Sequence, residues 1–258
     1  MRTMIRHVVI PAACALLLAA LAPGSVQAQA TRQLPLFPSA VFRGVATPAR
    51  YFHLGLAVVE YAPGATSAAA SEQSTRFFTV IEGELTFTVG GATETLGAGK
   101  NFTAPPTVVV KGTNKSQTAR ARVYISSLVP ARGEGAVIPA AASSSAAAPR
   151  TLFSTRLPVG PLPAVIDVVQ GGTKYEPGFI TGTHTMNEVH AILHLEGTIS
   201  YEYWDGTREA FGPGQGGQMY VGQPGAMANR TAAPAAFLIT WLVTPGRPLT
   251  SPWTHAGH

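Results

Sequence analysis

The residues best suited to chemistry lie together in the second half of the chain. Residues 184–194 contain three histidines and one glutamate, namely His184, Glu188, His190 and His194. Neutral imidazole and carboxylate together suit zinc, manganese, iron or nickel. Burying so many polar groups without partners would cost free energy. The segment therefore predicts a divalent metal site with His190, His194 and Glu188 as ligands. His184 is an alternate ligand, since a turn after Met186 would redirect it.

A β-strand would position these side chains. Successive side chains on a strand point to opposite faces, so residues 188, 190, 192 and 194 should share one face. The odd-numbered positions between them are apolar and would pack on the other face. In a small barrel, the polar face points into the interior. The pattern predicts that the histidines face a polar cavity.

Two other interpretations of the histidine cluster stay open. The first is a metal-free polar pocket in which a histidine acts as acid or base. The second is a structural or exposed cluster without chemistry. Three further residues are candidates for substrate binding: Gln218, Gln223 and Arg230, of which Arg230 could hold a carboxylate.

The elements around the cluster belong to an internal repeat. YAPG at 61–64 returns as YEPG at 175–178, and IEGEL at 81–85 returns as LEGTI at 195–199. Turn residues that recur in one order indicate two copies of one domain. β-branched and aromatic runs between Gly and Pro turns predict that both copies are all-β. Only the second copy carries the histidine cluster, which places the candidate site there.

The repeat sets the predicted domain organisation. Residues 1–30 have basic, apolar and small-residue regions typical of a signal peptide. Residues 31–130 and 151–248 are the two barrels. Residues 131–150 are an Ala-, Ser- and Pro-rich linker, and 249–258 are a tail. The signal peptide predicts a periplasmic or secreted protein with no membrane segment after cleavage.

Composition limits the partners and the chemistry. The only cysteine, Cys14, lies in the predicted signal peptide, so the mature chain would have no disulfide and no thiolate nucleophile. Net charge is +5, but charged residues are only 12% of the chain and the basic ones are scattered. The high isoelectric point thus reflects few carboxylates, and no nucleic-acid partner is expected.

The spacing of Gly178, His184, His190 and Gly197 resembles the first motif of the cupin family, and Gly217 with Gly225 resembles the second. The resemblance covers most of the mature chain and implies a bicupin, that is, two tandem cupin barrels of the jelly-roll or double-stranded β-helix type. Cupins commonly hold Mn, Fe, Ni or Zn with three His and one Glu.

The match to the cupin ligand positions is poor. In the second copy, Met186 replaces the second His, His190 replaces the Glu, and Ala228 takes the place of the last His. In the first copy the four positions read Ala70, Glu72, Arg76 and Val110. Arg76 has no lone pair to donate to a metal. Either Glu72 and Arg76 form an ion pair, which we expect, or Arg76 anchors an anionic group.

The string Glu188-x-His190-x3-His194 is also similar to the metal signature of the (S)-ureidoglycine aminohydrolase family, in which only the C-terminal cupin holds metal. The spacing of the following Gly differs. These resemblances imply a metal-dependent enzyme, whether hydrolase, isomerase, lyase or dioxygenase, acting on a small polar metabolite. The alternative is a non-catalytic periplasmic cupin that binds a small molecule. Cupins often pair through barrel edges, which makes a homodimer possible.

Overall fold

The described part of the chain is built from strands alone. A computed structural model describes residues 33–131 and 148–253, which form 18 strands and no helix. This confirms the all-β class with two tandem cupin barrels. The predicted signal peptide, most of the linker and residues 254–258 of the tail lie outside the described residues. Within the described ranges, no helix is long and apolar enough to cross a bilayer.

The N-terminal half contains eight strands. They are β1 (Gln33–Ala46), β2 (Phe52–Tyr61), β3 (Thr75–Glu82), β4 (Glu84–Val89), β5 (Ala92–Gly97), β6 (Asn101–Ala104), β7 (Val110–Thr113) and β8 (Ala121–Pro130).

The C-terminal half contains ten strands. They are β9 (Arg150–Val159), β10 (Val165–Tyr175), β11 (His184–Met186), β12 (Val189–Glu196), β13 (Ile199–Tyr203), β14 (Arg208–Phe211), β15 (Gly216–Gly217), β16 (Pro224–Ala228), β17 (Ala235–Val243) and β18 (Thr250–Pro252).

Each barrel has two sheets, and the barrels exchange their first strands. The N-terminal barrel has the orders β6-β3-β8-β2-β9 and β5-β4-β7, and the C-terminal barrel has β1-β10-β17-β12-β15 and β14-β13-β16-β11-β18. Strand β1 thus pairs with β10 of the second half, and β9 pairs with β2 of the first. The predicted boundaries at 130 and 151 divide the sequence repeats but not the sheets.

The sheets β6-β3-β8-β2-β9 and β1-β10-β17-β12-β15 pack against each other and form the interface between the barrels. The odd-numbered residues Ala191 and Leu193 of β12 are buried there among residues of both halves, as the alternation predicts. Polar contacts also cross this apolar layer: the Tyr124 hydroxyl lies 2.8 Å from Thr240 Oγ1, and Gln170 accepts a 2.6 Å hydrogen bond from Thr79 and donates a 2.7 Å one to Ser126. The interface therefore fixes both barrels on one shared core.

A glycine turn precedes each second sheet. Gly83 and Gly197 have φ of +71° and +64°, a region that only glycine adopts without strain. A Cβ at Gly197 would also overlap the Pro234 carbonyl oxygen, and one at Gly83 would overlap that of Arg120. The repeated glycine therefore marks the same turn in both barrels.

Candidate functional site

His190 lies inside the C-terminal barrel. It follows Val189 at the start of β12 and is fully buried, with its ring 4.5 Å from that of Trp241. The Met219 amide points at its Nε2 from 3.5 Å, so Nε2 carries the lone pair and Nδ1 carries the proton. Burial lowers the pKa of His190 to about 4, so the ring is neutral near pH 7. The Nε2 lone pair, engaged only by this long contact, is suited to a ligand.

His194 is fully buried on the same face of β12, but it is already satisfied. Its Nδ1 donates a 2.9 Å hydrogen bond to the Gln215 carbonyl, and Nε2 lies 3.4 Å from the Tyr201 hydroxyl. The ring stacks on Phe211 at 5.2 Å. Burial lowers the pKa of His194 to about 4. The rise along a strand separates the Cα atoms of residues 190 and 194 by about 13 Å. His194 is therefore positioned as a hydrogen-bonded core residue.

His184 lies on β11, and Met186, two residues later, has its side chain on the same face of this strand. Its Nδ1 is 2.7 Å from the Gly182 carbonyl oxygen, which fixes the tautomer that leaves the lone pair on Nε2. The strand partner of His184 is Gly225, where a Cβ would lie 2.7 Å from the Met219 methyl, and the Met219 amide contacts His190. The two histidines therefore share Met219 as a neighbour.

Glu188 is directed to a different part of the barrel. Its Oε2 accepts 3.1 Å hydrogen bonds from the amide and hydroxyl of Thr244, and its Oε1 lies 3.3 Å from Arg247. Strand β12 begins at Val189, so the alternation that predicted a shared face does not extend back to Glu188. The Glu188 carboxylate secures the loop after β17 and does not join the histidines.

The three candidate substrate-binding side chains form no hydrogen bond with His190 among the described residues, although Gln218 directly precedes Met219. Within the described residues, no hydrogen bond joins Gln218 or Gln223 to a histidine; both side chains are half-buried. Arg230 forms a two-pronged ion pair with Glu202, at 2.8 and 2.6 Å. A role in substrate binding stays a prediction for all three, and for Arg230 it would require opening that pair.

The equivalent region of the N-terminal barrel is filled by an ion pair. Arg76 is 3% exposed, lies 3.6 Å from Glu72 and donates a 2.9 Å hydrogen bond to the Val108 carbonyl. The predicted pairing of Glu72 with Arg76 is confirmed. Burial raises the pKa of Glu72 and lowers that of Arg76, so desolvation outweighs their mutual attraction. This barrel presents no lone pair at the Arg76 position.

Matching hydrogen bonds align the two barrels and correct one ligand position. Asn114 binds the carbonyls of Tyr61 and Ala119, and Asn229 binds those of Tyr175 and Ala233. In the same frame Ala70 pairs with Val110, and His184 pairs with Gly225. The last cupin ligand position is thus Gly225. The prediction that Ala228 occupies this position is wrong, because the position lies four residues before Asn229, as Val110 lies four residues before Asn114.

Met219 is the neighbour of His190 that the cupin motifs did not reveal. Its amide contacts the His190 ring, and a Cβ on Gly225 would lie 2.7 Å from its terminal methyl. Met186, at the second-His position of the motif, is 2% exposed and lies in the same interior cluster. The signal available in the sequence was the placement of all methionines after Met4 within residues 186–227.

These residues do not fit the metal site of three His and one Glu that the cupin resemblance implies. In residues 33–131 and 148–253, no three His, Cys, Asp or Glu side chains converge as metal ligands. The candidate site instead has two imidazoles, from His184 and His190, with thioethers beside them. The predicted four-residue set is not assembled, because Glu188 and His194 are held elsewhere.

Comparisons with known proteins agree with the fold. Residues 57–127 match the model of the cupin domain. Oxalate decarboxylase from Bacillus subtilis, a protein with Mn(II) centres, is similar at a TM-score of 0.51 and 11% identity over 81% of this chain and 76% of the other. Its structure at pH 4.6 has a TM-score of 0.50 and 11% identity, over 81% of this chain and 75% of the other. AerE from Microcystis aeruginosa has a TM-score of 0.48 and 14% identity, over 79% of this chain and 99% of the other. No curated protein sequence matches.

Residues 57–127 of the N-terminal barrel are thus similar to a cupin domain, and the described chain has the fold of two cupin barrels in tandem. At these identities the structural neighbours establish the fold and not the activity. The similarity to the (S)-ureidoglycine aminohydrolase family stays a prediction.

Proposed function

We propose that this protein is an exported bicupin whose C-terminal barrel binds a metal ion through His184 and His190. The N-terminal barrel supports the C-terminal one through the shared core and the exchanged strands. The predicted signal peptide motivates the export, and a periplasmic or secreted location with a small-molecule partner follows from it. A homodimer stays a prediction from the cupin resemblance.

One comparison within the chain carries this proposal. Arg76 and His190 occupy equivalent strand positions, since Arg76 pairs with Ser127 of β8 and His190 with Trp241 of β17. Arg76 is cationic and paired, whereas His190 is neutral and its Nε2 faces only the Met219 amide, at 3.5 Å. The C-terminal barrel therefore has a nitrogen lone pair at this position, and the N-terminal barrel has none there.

The leading form of the proposal is an enzyme acting on a small polar metabolite. A bound metal would supply Lewis-acid chemistry there. The chain's own contribution is a water-poor interior in which Trp241 covers one side of His190. Hydrolase, isomerase, lyase and dioxygenase activities remain the candidate classes, because the fold does not select among them.

A specific observation favours the second candidate, a non-catalytic binding protein. The cluster around the candidate site is mainly aromatic and thioether in character, with Tyr203, Phe179 and Met227 among its members. The Glu188 carboxylate, which could act as a base, is held by Thr244. Binding without turnover needs ligand contacts but no catalytic base.

Metal titration of the processed protein tests the proposal. Chelator-treated protein is titrated calorimetrically with Mn(II), Ni(II) and Zn(II), and anaerobically with Cu(I). At least one ion should bind at one per chain, and His184→Ala or His190→Ala should weaken it by at least about 10-fold. His53→Ala, a histidine on β2 beside Arg156, is the matched control. Absence of binding by the whole panel, or unchanged binding in His190→Ala, would overturn the proposal.

A further inference from the structure

The interior of the C-terminal barrel concentrates methionine as well as histidine. Met186, Met219 and Met227 all belong to its buried cluster, at 2%, 0% and 4% exposure. No other methionine occurs in residues 33–131 and 148–253. The sulfur atoms therefore collect in the barrel that holds the neutral imidazole.

Met219 bridges the space between the two histidines. Its backbone amide lies 3.5 Å from His190 Nε2, and its methyl reaches the surface of Gly225. Gly225 is the strand partner of His184. The absence of a Cβ at Gly225 makes room for the Met219 side chain, because a Cβ there would lie only 2.7 Å from that methyl. The thioether thus fills the space in front of the last cupin ligand position.

Met186 adds a second thioether. It follows His184 by two residues on β11, which puts both side chains on one face of the strand. Three motif positions of this barrel therefore offer imidazole from His184 and His190 and thioether from Met186, and the Met219 thioether lies against the fourth, Gly225.

We infer that the C-terminal barrel is a site for a soft monovalent metal, Cu(I), bound by His184, His190 and the thioethers of Met186 and Met219. This rests on the proposed function, since it specifies the metal of the same site. Thioether ligands favour Cu(I), whereas manganese prefers carboxylate oxygens, and the Glu188 carboxylate is held by Thr244 and Arg247.

The N-terminal barrel shows the competing explanation that must be separated from metal binding. There Arg76 is opposite Ala104 in the β3–β6 pairing, a large side chain beside a small one. In the C-terminal barrel the smaller His190 replaces the arginine, and the larger Met219 replaces the alanine. Met219 therefore also fills the interior volume that the smaller histidine leaves. Leucine keeps the volume of methionine and removes the sulfur, which separates the two roles.

The test is Cu(I) affinity measured by anaerobic competition with the chelator bicinchoninate, on the processed full chain and on single Met→Leu variants. The wild type should bind one Cu(I) per chain, more tightly than Zn(II) or Mn(II). Met219→Leu and Met186→Leu should each weaken Cu(I) binding at least about 10-fold and leave the unfolding midpoint nearly unchanged. Met227→Leu, from the same cluster, is the matched control and should stay within about 2-fold.

The outcomes separate this inference from the proposed function. Zn(II) or Mn(II) binding that depends on His190, with Cu(I) bound no more tightly, would overturn the Cu(I) site and keep metal binding. No binding by any ion would overturn both. X-ray absorption at the copper edge of the wild type needs no variant: sulfur neighbours support the inference, and a shell of nitrogen and oxygen alone contradicts it.

Discussion

His190 of the C-terminal barrel and Arg76 of the N-terminal barrel occupy the same place in the two copies of one fold. Arg76 lies on β3, which pairs with β8, and His190 lies on β12, which pairs with β17. Both side chains are buried in the barrel interior. The copies differ in what this place contains: an ion pair in one, and in the other a neutral imidazole whose Nε2 faces only the Met219 amide. This difference is the basis on which we propose support for one barrel and ligand binding for the other.

Removing one partner of the Arg76–Glu72 pair should destabilise the fold without affecting the candidate site. Arg76→Ala leaves a buried carboxylate uncompensated, and the free energy of unfolding should fall by about 3–5 kcal/mol. The double variant Arg76→Met with Glu72→Leu should lose far less, because burial opposes the charge of both groups. Urea unfolding of the three proteins measures both effects. A double variant as unstable as Arg76→Ala would show that the ion pair itself stabilises the barrel.

Acid should weaken the metal-free protein through His194. The pKa of His194 falls from its ordinary 6.5 to about 4 on burial. Between these values the unfolded state binds more protons, so stability decreases as the pH drops from about 6.5 to about 4. The loss from this group is roughly 3 kcal/mol at the acid end. Unfolding curves of the chelator-treated protein from pH 7.5 to 4.5 should show this slope, and His194→Gln should reduce it. An equal slope in His194→Gln would assign the proton uptake to other groups.

Glu188 should matter for stability and not for metal binding. Glu188→Ala removes the acceptor of two Thr244 hydrogen bonds and the partner of Arg247, so we expect a loss of about 2 kcal/mol. Affinity for the metal should stay within about 2-fold, because the carboxylate is bound elsewhere. Chemical unfolding and metal titration of one preparation give both values. A Glu188→Ala variant that folds normally but loses its metal would return Glu188 to the ligand set.

The sequence was sufficient for the fold and for part of the site. Turn glycines such as Gly83 and Gly197 recur because the same steric contact recurs, so the repeat was visible. The apolar odd positions of β12 correctly placed His190 and His194 on the interior face.

The errors arose where local pattern does not determine tertiary contact. Alternation of side chains does not show where a strand begins. The pattern predicts that Glu188 belongs to the strand, but β12 starts at Val189. Spacing alone did not locate Gly225, which required the strand partner of His184. The exchange of β1 and β9 between the barrels, and the approach of Met219 to His190, depend on contacts between distant segments.

The most direct measurement is the metal content of the purified protein. Elemental analysis of the wild type should give about one metal ion per chain, and the folded His190→Ala variant should give less than about one tenth of that, because the imidazole is a ligand. Equal metal content in both proteins, or no metal in the wild type together with no binding in titrations, would contradict the account.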